Sequence, residues 1–294
     1  MFHRPAASIR LTLLVSWLKL RKVAFIAEFD DLVFDTAYCE FSPGILNNVL
    51  GLEQTKKKYR AHQRALKLFE RFSVSTEPLR DHLLKLDFQK QVAVLPNAPH
   101  HHWRKQFDHL PVPEVNWSNP VITYLPGTKS HDRDFQVFTR GIADFLNDHP
   151  YVRLQVTGPL QFELDVNPAQ IIRREKVPFR EYHQHISHGW VNLAPLEDTP
   201  FTRCKSALKV MEAGYWGRPT LCSPIPDAER FIGNGAIPVN STDELYAELQ
   251  KLLEPVYYYN YTKDLRKRVL ELADIHQVAE QLIDFVSERT AEVK

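Results

Sequence analysis

The stretch Val191–Pro226, VNLAPLEDTPFTRCKSALKVMEAGYWGRPTLCSPIP, decides how this chain is read. It predicts a strand over Trp190–Ala194, a polar loop, a helix over Lys205–Tyr215, a tight turn and a strand over Thr220–Cys222. That alternation is the repeating unit of an α/β fold with a parallel sheet. In open sheets of this kind, ligands bind outside the carboxyl ends of the strands, where the loop Glu197–Arg203 would lie. The helix N-terminus before Ser206 offers unpaired N–H groups and about half a positive charge, which suits a diphosphate. Arg203 and Lys205 add full charges there. Lys205, Lys209 and Glu212 fall at i, i+4 and i+7, one stripe of the predicted helix. Glu212, about two turns in, is placed to accept hydrogen bonds from a ribose diol. The plainer reading is a surface ion pair between Lys209 and Glu212 and a solvated Arg203.

The same alternation continues on both sides. Towards the N-terminus of this half, Val121–Leu125 and Val152–Thr157 read as buried strands, with helices over Phe135–Leu146 and Tyr182–Ser187. After the first of these strands comes Pro126-Gly127-Thr128-Lys129-Ser130-His131-Asp132-Arg133-Asp134. Gly127 lets a backbone approach a ligand, and Thr128 and Lys129 can donate to phosphate oxygens. Neither GxxxxGK[ST] nor GxGxxG is present. Gly158 ends the second strand as a turn or a close-approach point. Beyond Cys222, Ala236–Val239 is a short last strand and Ser241-Thr242-Asp243-Glu244 a capping box. A final helix runs from about Ile275 to the end.

The first half supplies helices over Arg10–Leu20 and Gln54–Phe72 and strands over Val23–Ala27, Phe72–Ser75 and Gln91–Leu95. Three strands are few for a doubly wound domain, so this half reads as incomplete. Asn97–Pro120, with four prolines and little periodicity, reads as a linker without regular structure. Its His100-His101-His102 run reads as solvated, since adjacent residues rarely converge on one ion. Asp30-Asp31 at a strand end could orient an acceptor hydroxyl or act as a base, or serve only as loop acids.

Bulk properties narrow the classes. At 294 residues, with 44% hydrophobic and 25% charged residues, the chain has the size and composition of two globular domains. A net charge of +1 gives no bulk attraction to nucleic acid, and none is expected as a partner. Cys39, Cys204 and Cys222 are odd in number and widely spaced, which fits free thiols in a reducing cytosol. No apolar run reaches the ~20 residues that span a bilayer. Leu11–Leu18 runs into Lys19-Leu20-Arg21-Lys22 and reads as a buried amphipathic helix, with a weak interfacial helix as the second reading.

The blocks AEFDDLVFD, FSVSTEPL, VAVLPNAP, YLPGTKSHDRDF, VRLQVTG and VNLAPLEDTPFTRCKSALKVMEAGYWGRPTLCSP resemble the GT-B glycosyltransferases of the group 1, or family 4-like, type. The resemblance runs from about Phe2 to the last helix and is most specific in the long final block. It implies two Rossmann-like domains of GT-B type, the N-terminal one incomplete: 1–110 on the acceptor side, 111–274 for the nucleotide sugar, and 275–294 as a helix crossing back. It implies a hexosyltransferase-type enzyme that moves a sugar from a nucleoside-diphosphate sugar to a glycan or lipid-linked acceptor, in surface polysaccharide synthesis. Retention of configuration and independence from metal and from any cofactor belong to the same expectation. So does a cytoplasmic location, with attachment to the inner face of the membrane as a variant.

In this reading the donor is held by Gly127, Thr128, Lys129, Arg203, Ser206 and Glu212, while Lys205 and Asp31 serve catalysis. Many relatives carry two glutamates eight residues apart; here Glu212 is the second and Cys204 stands at the first position. The sugar contact would then fall to Asp198, Thr202 or Lys205. Two other readings share the fold: a non-catalytic nucleotide-sugar-binding subunit and a sugar-nucleotide 2-epimerase.

Overall fold

The computed structural model describes residues 1–87 and 89–291. The chain divides into two compact units: Met1–Asn97 with Thr199–Ser206 and the segment from Asp274, and Ala98–Asp198 with Ala207–Ala273. The first break falls at Asn97, not at residue 110.

The first unit contains β1 (Phe2–His3), α1 (Ile9–Leu20), β2 (Ala27–Phe29), α2 (Pro43–Leu46), α3 (Leu52–Ala65), β3 (Arg71–Val74), α4 (Glu77–Leu86) and β4 (Gln91–Val94). Its four strands are parallel, in the order β1-β2-β3-β4. Phe29, Leu32, Phe34, Phe69, Phe72, Val74, Leu79 and Leu83 form its core. The strand expected at Val23–Ala27 begins only at Ala27, where pairing with Phe72 buries Ala27 and Phe29 together. Lys22, at φ 55, turns the chain out of α1, and residues 23–26 are spent on the connection. The helix expected over Gln54–Phe72 stops at Ala65, and Phe72 joins the sheet. β1 carries no periodicity because it is two residues long. Phe201 and Cys204 are buried in this same core, and Thr76 Oγ1 donates to the Cys204 carbonyl at 2.8 Å, which explains why residues 199–206 group with the first unit.

The second unit contains α5 (His101–Phe107), β5 (Val121–Tyr124), α6 (Asp132–Asp148), β6 (Arg153–Thr157), β7 (Ile171–Arg174), α7 (Phe179–Ser187), β8 (Val191–Ala194), α8 (Leu208–Tyr215), β9 (Thr220–Cys222), β10 (Ala236–Pro238), α9 (Thr242–Leu252), α10 (Pro255–Thr262) and α11 (Leu265–Leu272). The last helix, α12 (Ile275–Ala291), counts with the first unit. The six strands are all parallel, in the order β10-β9-β8-β5-β6-β7. Counted from β5, this is the 3-2-1-4-5-6 order of a doubly wound sheet. Its core joins Ile122, Tyr124 and Leu193 of the sheet to Phe135, Phe138, Ile142 and Phe145 of α6. The expected capping box starts α9: Ser241 Oγ accepts from the Glu244 N–H at 3.1 Å.

Residues 97–120 are not a structureless linker. α5 forms there because Trp103 is buried against Tyr215 and Trp216, and the Tyr215 hydroxyl donates to Asp108 Oδ1 at 2.7 Å and lies 2.9 Å from the Trp103 carbonyl. That packing also moves the unit boundary to Asn97. β7 escaped the sequence reading because it is a four-residue edge strand, IIRR, with two exposed arginines.

Candidate functional site

Strand order reverses between β5 and β8 in the second unit. β5 is followed by crossovers to one side and β8 by crossovers to the other, so their connections diverge and leave a crevice at the carboxyl ends. Leu125-Pro126-Gly127 leave β5 there, and residues 195–198 leave β8. Asp134, buried at the start of α6, ties the two exits together. One oxygen accepts from the Glu197 N–H at 2.9 Å and the other lies 2.8 Å from His131 Nδ1. Arg133 pairs with the Glu197 carboxylate.

Gly127, Thr128 and Lys129 are exposed on this rim. A Cβ at Gly127 would meet nothing within 4 Å, so the space beside its backbone is open. Thr128 Oγ1 lies 2.7 Å from Ser130 Oγ, which shapes the short turn Lys129–His131. Gly158 serves as a close-approach point, but to protein: at φ +130 its missing Cβ would lie 2.4 Å from the Pro126 carbonyl. The exit of β6 is thereby held against the exit of β5.

α8 starts at Leu208, three residues later than expected. The Ala207 N–H is already taken by Asp227 Oδ2 at 2.8 Å, and the first intrahelical bond is Met211 N–H to the Ala207 carbonyl. The N–H groups of Leu208, Lys209 and Val210 are therefore the ones this terminus presents. Lys209 Nζ donates to the Leu125 carbonyl at 3.1 Å, which brings its charge to the exit of β5. Glu212, one turn further, is buried and hydrogen-bonded to the Tyr182 hydroxyl of α7. Burial pushes its carboxyl up to about 7, against the pull of Lys209 and of the Tyr182 hydrogen bond. A carboxylate that is expensive to bury alone gains most from a ligand that brings hydroxyl donors.

Lys205 does not share this stripe. It is extended (φ −72, ψ 150) after a 3-10 turn at Thr202–Cys204, in the segment that groups with the first unit. The Thr199 and Thr202 hydroxyls wind that turn, each accepting from the other's N–H at 3.1 and 2.9 Å. Lys205 Nζ then lies 3.2 Å from Asp31 Oδ1, and Arg4 donates to Asp31 Oδ2 at 2.6 Å. The charge of Asp31 is matched by two cations. Ser206 Oγ accepts from Asn97 Nδ2 at 2.7 Å, and Arg203 is exposed. Among the described residues, the one group of His, Asp and Glu close enough to converge on a cation is His3, Glu28 and Asp30, and Arg4 already lies on the Asp30 carboxylate.

The structure therefore gathers Gly127, Thr128, Lys129 and Glu212 on the second unit, and Asp31, Arg203, Lys205 and Ser206 on the first. Sequence reasoning missed Tyr182 as the partner of Glu212, and Asp134 as the brace of the rim. The i, i+3 spacing of His131 and Asp134 was a usable signal for the second.

No family model matches the chain, and no curated protein matches it. Solved structures do. Sucrose-phosphate synthase from Thermosynechococcus elongatus is 16% identical over 95% of this chain and 71% of that one, with a TM-score of 0.58. S. aureus TarM, solved with fondaparinux, α-GlcNAc-glycerol and UDP, is 11% identical over 93% of this chain and 58% of that one, with a TM-score of 0.63. The UDP-forming α,α-trehalose-phosphate synthase of Burkholderia xenovorans, solved with glucose-6-phosphate, is 10% identical over 97% of this chain and 72% of that one, with a TM-score of 0.61. The chain thus spans 58–72% of the length of these structures. No helix among the described residues is long and apolar enough to cross a membrane. Two parallel α/β units, the second with doubly wound strand order, and these neighbours give one conclusion: the chain has the fold of the GT-B glycosyltransferases.

Proposed function

We propose that this chain is a glycosyltransferase that binds a nucleoside-diphosphate sugar on its second unit and passes the sugar to a glycan or lipid-linked acceptor in surface polysaccharide synthesis. The observation that carries this reading is Glu212: a buried carboxylate on α8, one turn below N–H groups that end in no helix bond, beside a lysine at the exit of β5. A ribose diol donates two hydrogen bonds and accepts none that a carboxylate could give. The diphosphate carries charge that the α8 N-terminus, Lys209 and Lys129 would neutralise as it leaves. Thr128 and the open backbone at Gly127 would add donors to the same group. Stabilisation of the leaving group by backbone dipoles and lysines needs no metal, and retention of configuration follows from the family resemblance.

Lys205, Asp31, Arg203 and Ser206 have their role, in this reading, on the acceptor side or at the sugar. Lys205 and Asp31, the residues read as serving catalysis, hold each other by an ion pair within the first unit. The test is a thermal-shift panel of UDP-, GDP- and CDP-sugars, since a ligand that binds only the folded state raises its stability by mass action. A shift with one base and its loss in both Glu212→Ala and Glu212→Gln support the reading. An unchanged shift in both variants removes Glu212 from the ribose. Analysis of products with and without acceptor separates transfer from epimerisation and from binding alone.

A further inference from the structure

The two faces of β6 differ in kind. Leu154 and Val156 join the apolar core with α6. Gln155 and Thr157 alternate with them and so point to the opposite face of the sheet, where His185 of α7 lies over both. Both polar side chains are buried. A sheet face that a helix covers is ordinarily apolar. The register sets Thr157 beside Arg174 at the end of the edge strand β7, so Arg174 belongs to this same face. A groove of about 640 Å³ opens there, with Gln155, Arg174, Lys176, Val177, His185 and His188 among its lining residues. Gln155 Nε2, a donor, lies 3.3 Å from His185 Nδ1, and Thr157 Oγ1 lies 3.2 Å from the same nitrogen. Nδ1 therefore accepts, and the neutral ring carries its proton on Nε2. Burial first, then the charges of Arg174 and His188, hold the proton affinity of His185 below its ordinary value, against the pull of Glu181. The ring is thus a neutral N–H donor near pH 7.

The groove offers donors and cations, and little to oppose them. Arg174 is exposed, and no carboxylate among the described residues pairs with it. Glu175 is the one carboxylate in the lining, and Glu181 on α7 is held by Arg180 Nε at 3.1 Å. Lys176 Nζ donates to the Gly127 carbonyl at 2.9 Å, which fixes the wall formed by residues 174–178. An anion suits such a lining, and an arginine fork suits a phosphate in particular. The volume falls in the range of small-molecule sites and exceeds what a bare phosphate fills. We propose that this groove is a second ligand site, which takes a small organic phosphomonoester with its phosphate on Arg174, His185 and His188 and its organic part against Val177 and Pro178. The groove lies on a face of the sheet, whereas the donor crevice lies at the carboxyl ends of β5 and β8. Neither Gly127, Thr128, Lys129 nor Glu212 lines it, so the inference does not rest on the sugar-transfer reading.

The experiment is calorimetric titration of the full chain with glucose 6-phosphate, inorganic phosphate and glucose. Glucose 6-phosphate is expected to bind, inorganic phosphate more weakly, and glucose not at all. Arg174→Gln and His188→Gln should each weaken glucose 6-phosphate by ~10-fold or more. Their thermal midpoints should stay unchanged, since both side chains are exposed. Lys58→Gln and Arg64→Gln remove the same charge from exposed positions on α3 and should leave the affinity as it is. The ring nitrogen resonances of His185 should move on titration of the wild-type chain. Binding of glucose as tight as that of glucose 6-phosphate, no binding at millimolar concentration, an unchanged affinity in both groove variants, or an equal loss in the α3 variants overturns the proposal. So does competition by a nucleotide sugar together with loss of glucose 6-phosphate binding in Glu212→Gln, because the phosphate would then sit in the donor crevice. Donor-induced thermal shifts in the groove variants report on the sugar-transfer reading separately.

Discussion

The Tyr182 hydroxyl of α7 is hydrogen-bonded to the Glu212 carboxylate of α8, which is buried beside it. One phenol from one helix thus decides how a buried acid on the next is held. Burial raises both groups, Tyr182 above its ordinary value and Glu212 up to about 7.

Glu212 makes stability depend on pH. The folded chain keeps its proton up to about 7, whereas the unfolded chain releases it near 4.5. Within that window the folded state binds more protons, so stability falls as pH rises and levels off above it. The loss is at most about 3 kcal/mol. Glu212→Gln keeps the shape without the charge, and should be the more stable protein near pH 8 but not near pH 4. Urea midpoints of both proteins across that range check this; parallel curves would refute it.

Donor binding should move the other way. A ribose diol prefers the ionised carboxylate, so nucleotide-sugar affinity is expected to rise as pH passes through about 7. In Glu212→Gln the affinity should be lower and its pH dependence flat. Calorimetric titration at several pH values reads both.

Gly158→Ala is expected to cost about 2–3 kcal/mol, because φ +130 disfavours a side chain and the new methyl would lie 2.4 Å from the Pro126 carbonyl. The exit of β5 would have to shift. Chemical denaturation gives the stability, and any donor-induced thermal shift should shrink in the same variant.

Trp103→Ala should cost about 3–5 kcal/mol, since the indole is 2% exposed and packs with Tyr215 and Trp216 in a cluster that Phe107 of α5 also joins. Limited proteolysis should then open first within residues 98–110. A variant with wild-type stability would show that α5 is not anchored by this ring.

All three thiols are buried and free. Burial pushes Cys204 and Cys222 up to about 12, so almost no thiolate exists at neutral pH. A thiol reagent should react with none of the three until denaturant is added; fast reaction of Cys204 or Cys222 in the native protein would contradict their burial.

Much of the fold was legible because its signals are local. Val121–Tyr124, Arg153–Thr157 and Val191–Ala194 are short apolar runs closed by turn residues, and the helix between Asp132 and Asp148 carries Phe135, Phe138, Ile142 and Phe145 at helical spacing. The elements that escaped depend on distant partners. β1 and β7 are short and exist because a neighbouring strand offers free N–H and carbonyl groups. α5 exists because Tyr215, more than a hundred positions later, receives Trp103. The site divided in the same way. Gly127, Lys129 and Glu212 could be placed at strand ends and on a helix from spacing alone. Helical periodicity also put Lys205 on α8, and there it failed: two threonine hydroxyls end the regular chain early and Asp31 draws Lys205 to the first unit.

By itself the sequence determined that this is a parallel α/β protein with a polar loop, a helix start and one carboxylate after a strand. Periodicity and turn chemistry act between neighbours along the chain, so they can be read in one dimension. Only the tertiary structure decided the strand order, the switch point between β5 and β8, the burial of Glu212 beside Tyr182 and the pairing of Lys205 with Asp31. Those depend on desolvation and on charges far apart in the chain, which have no magnitude until folding sets the distance between them.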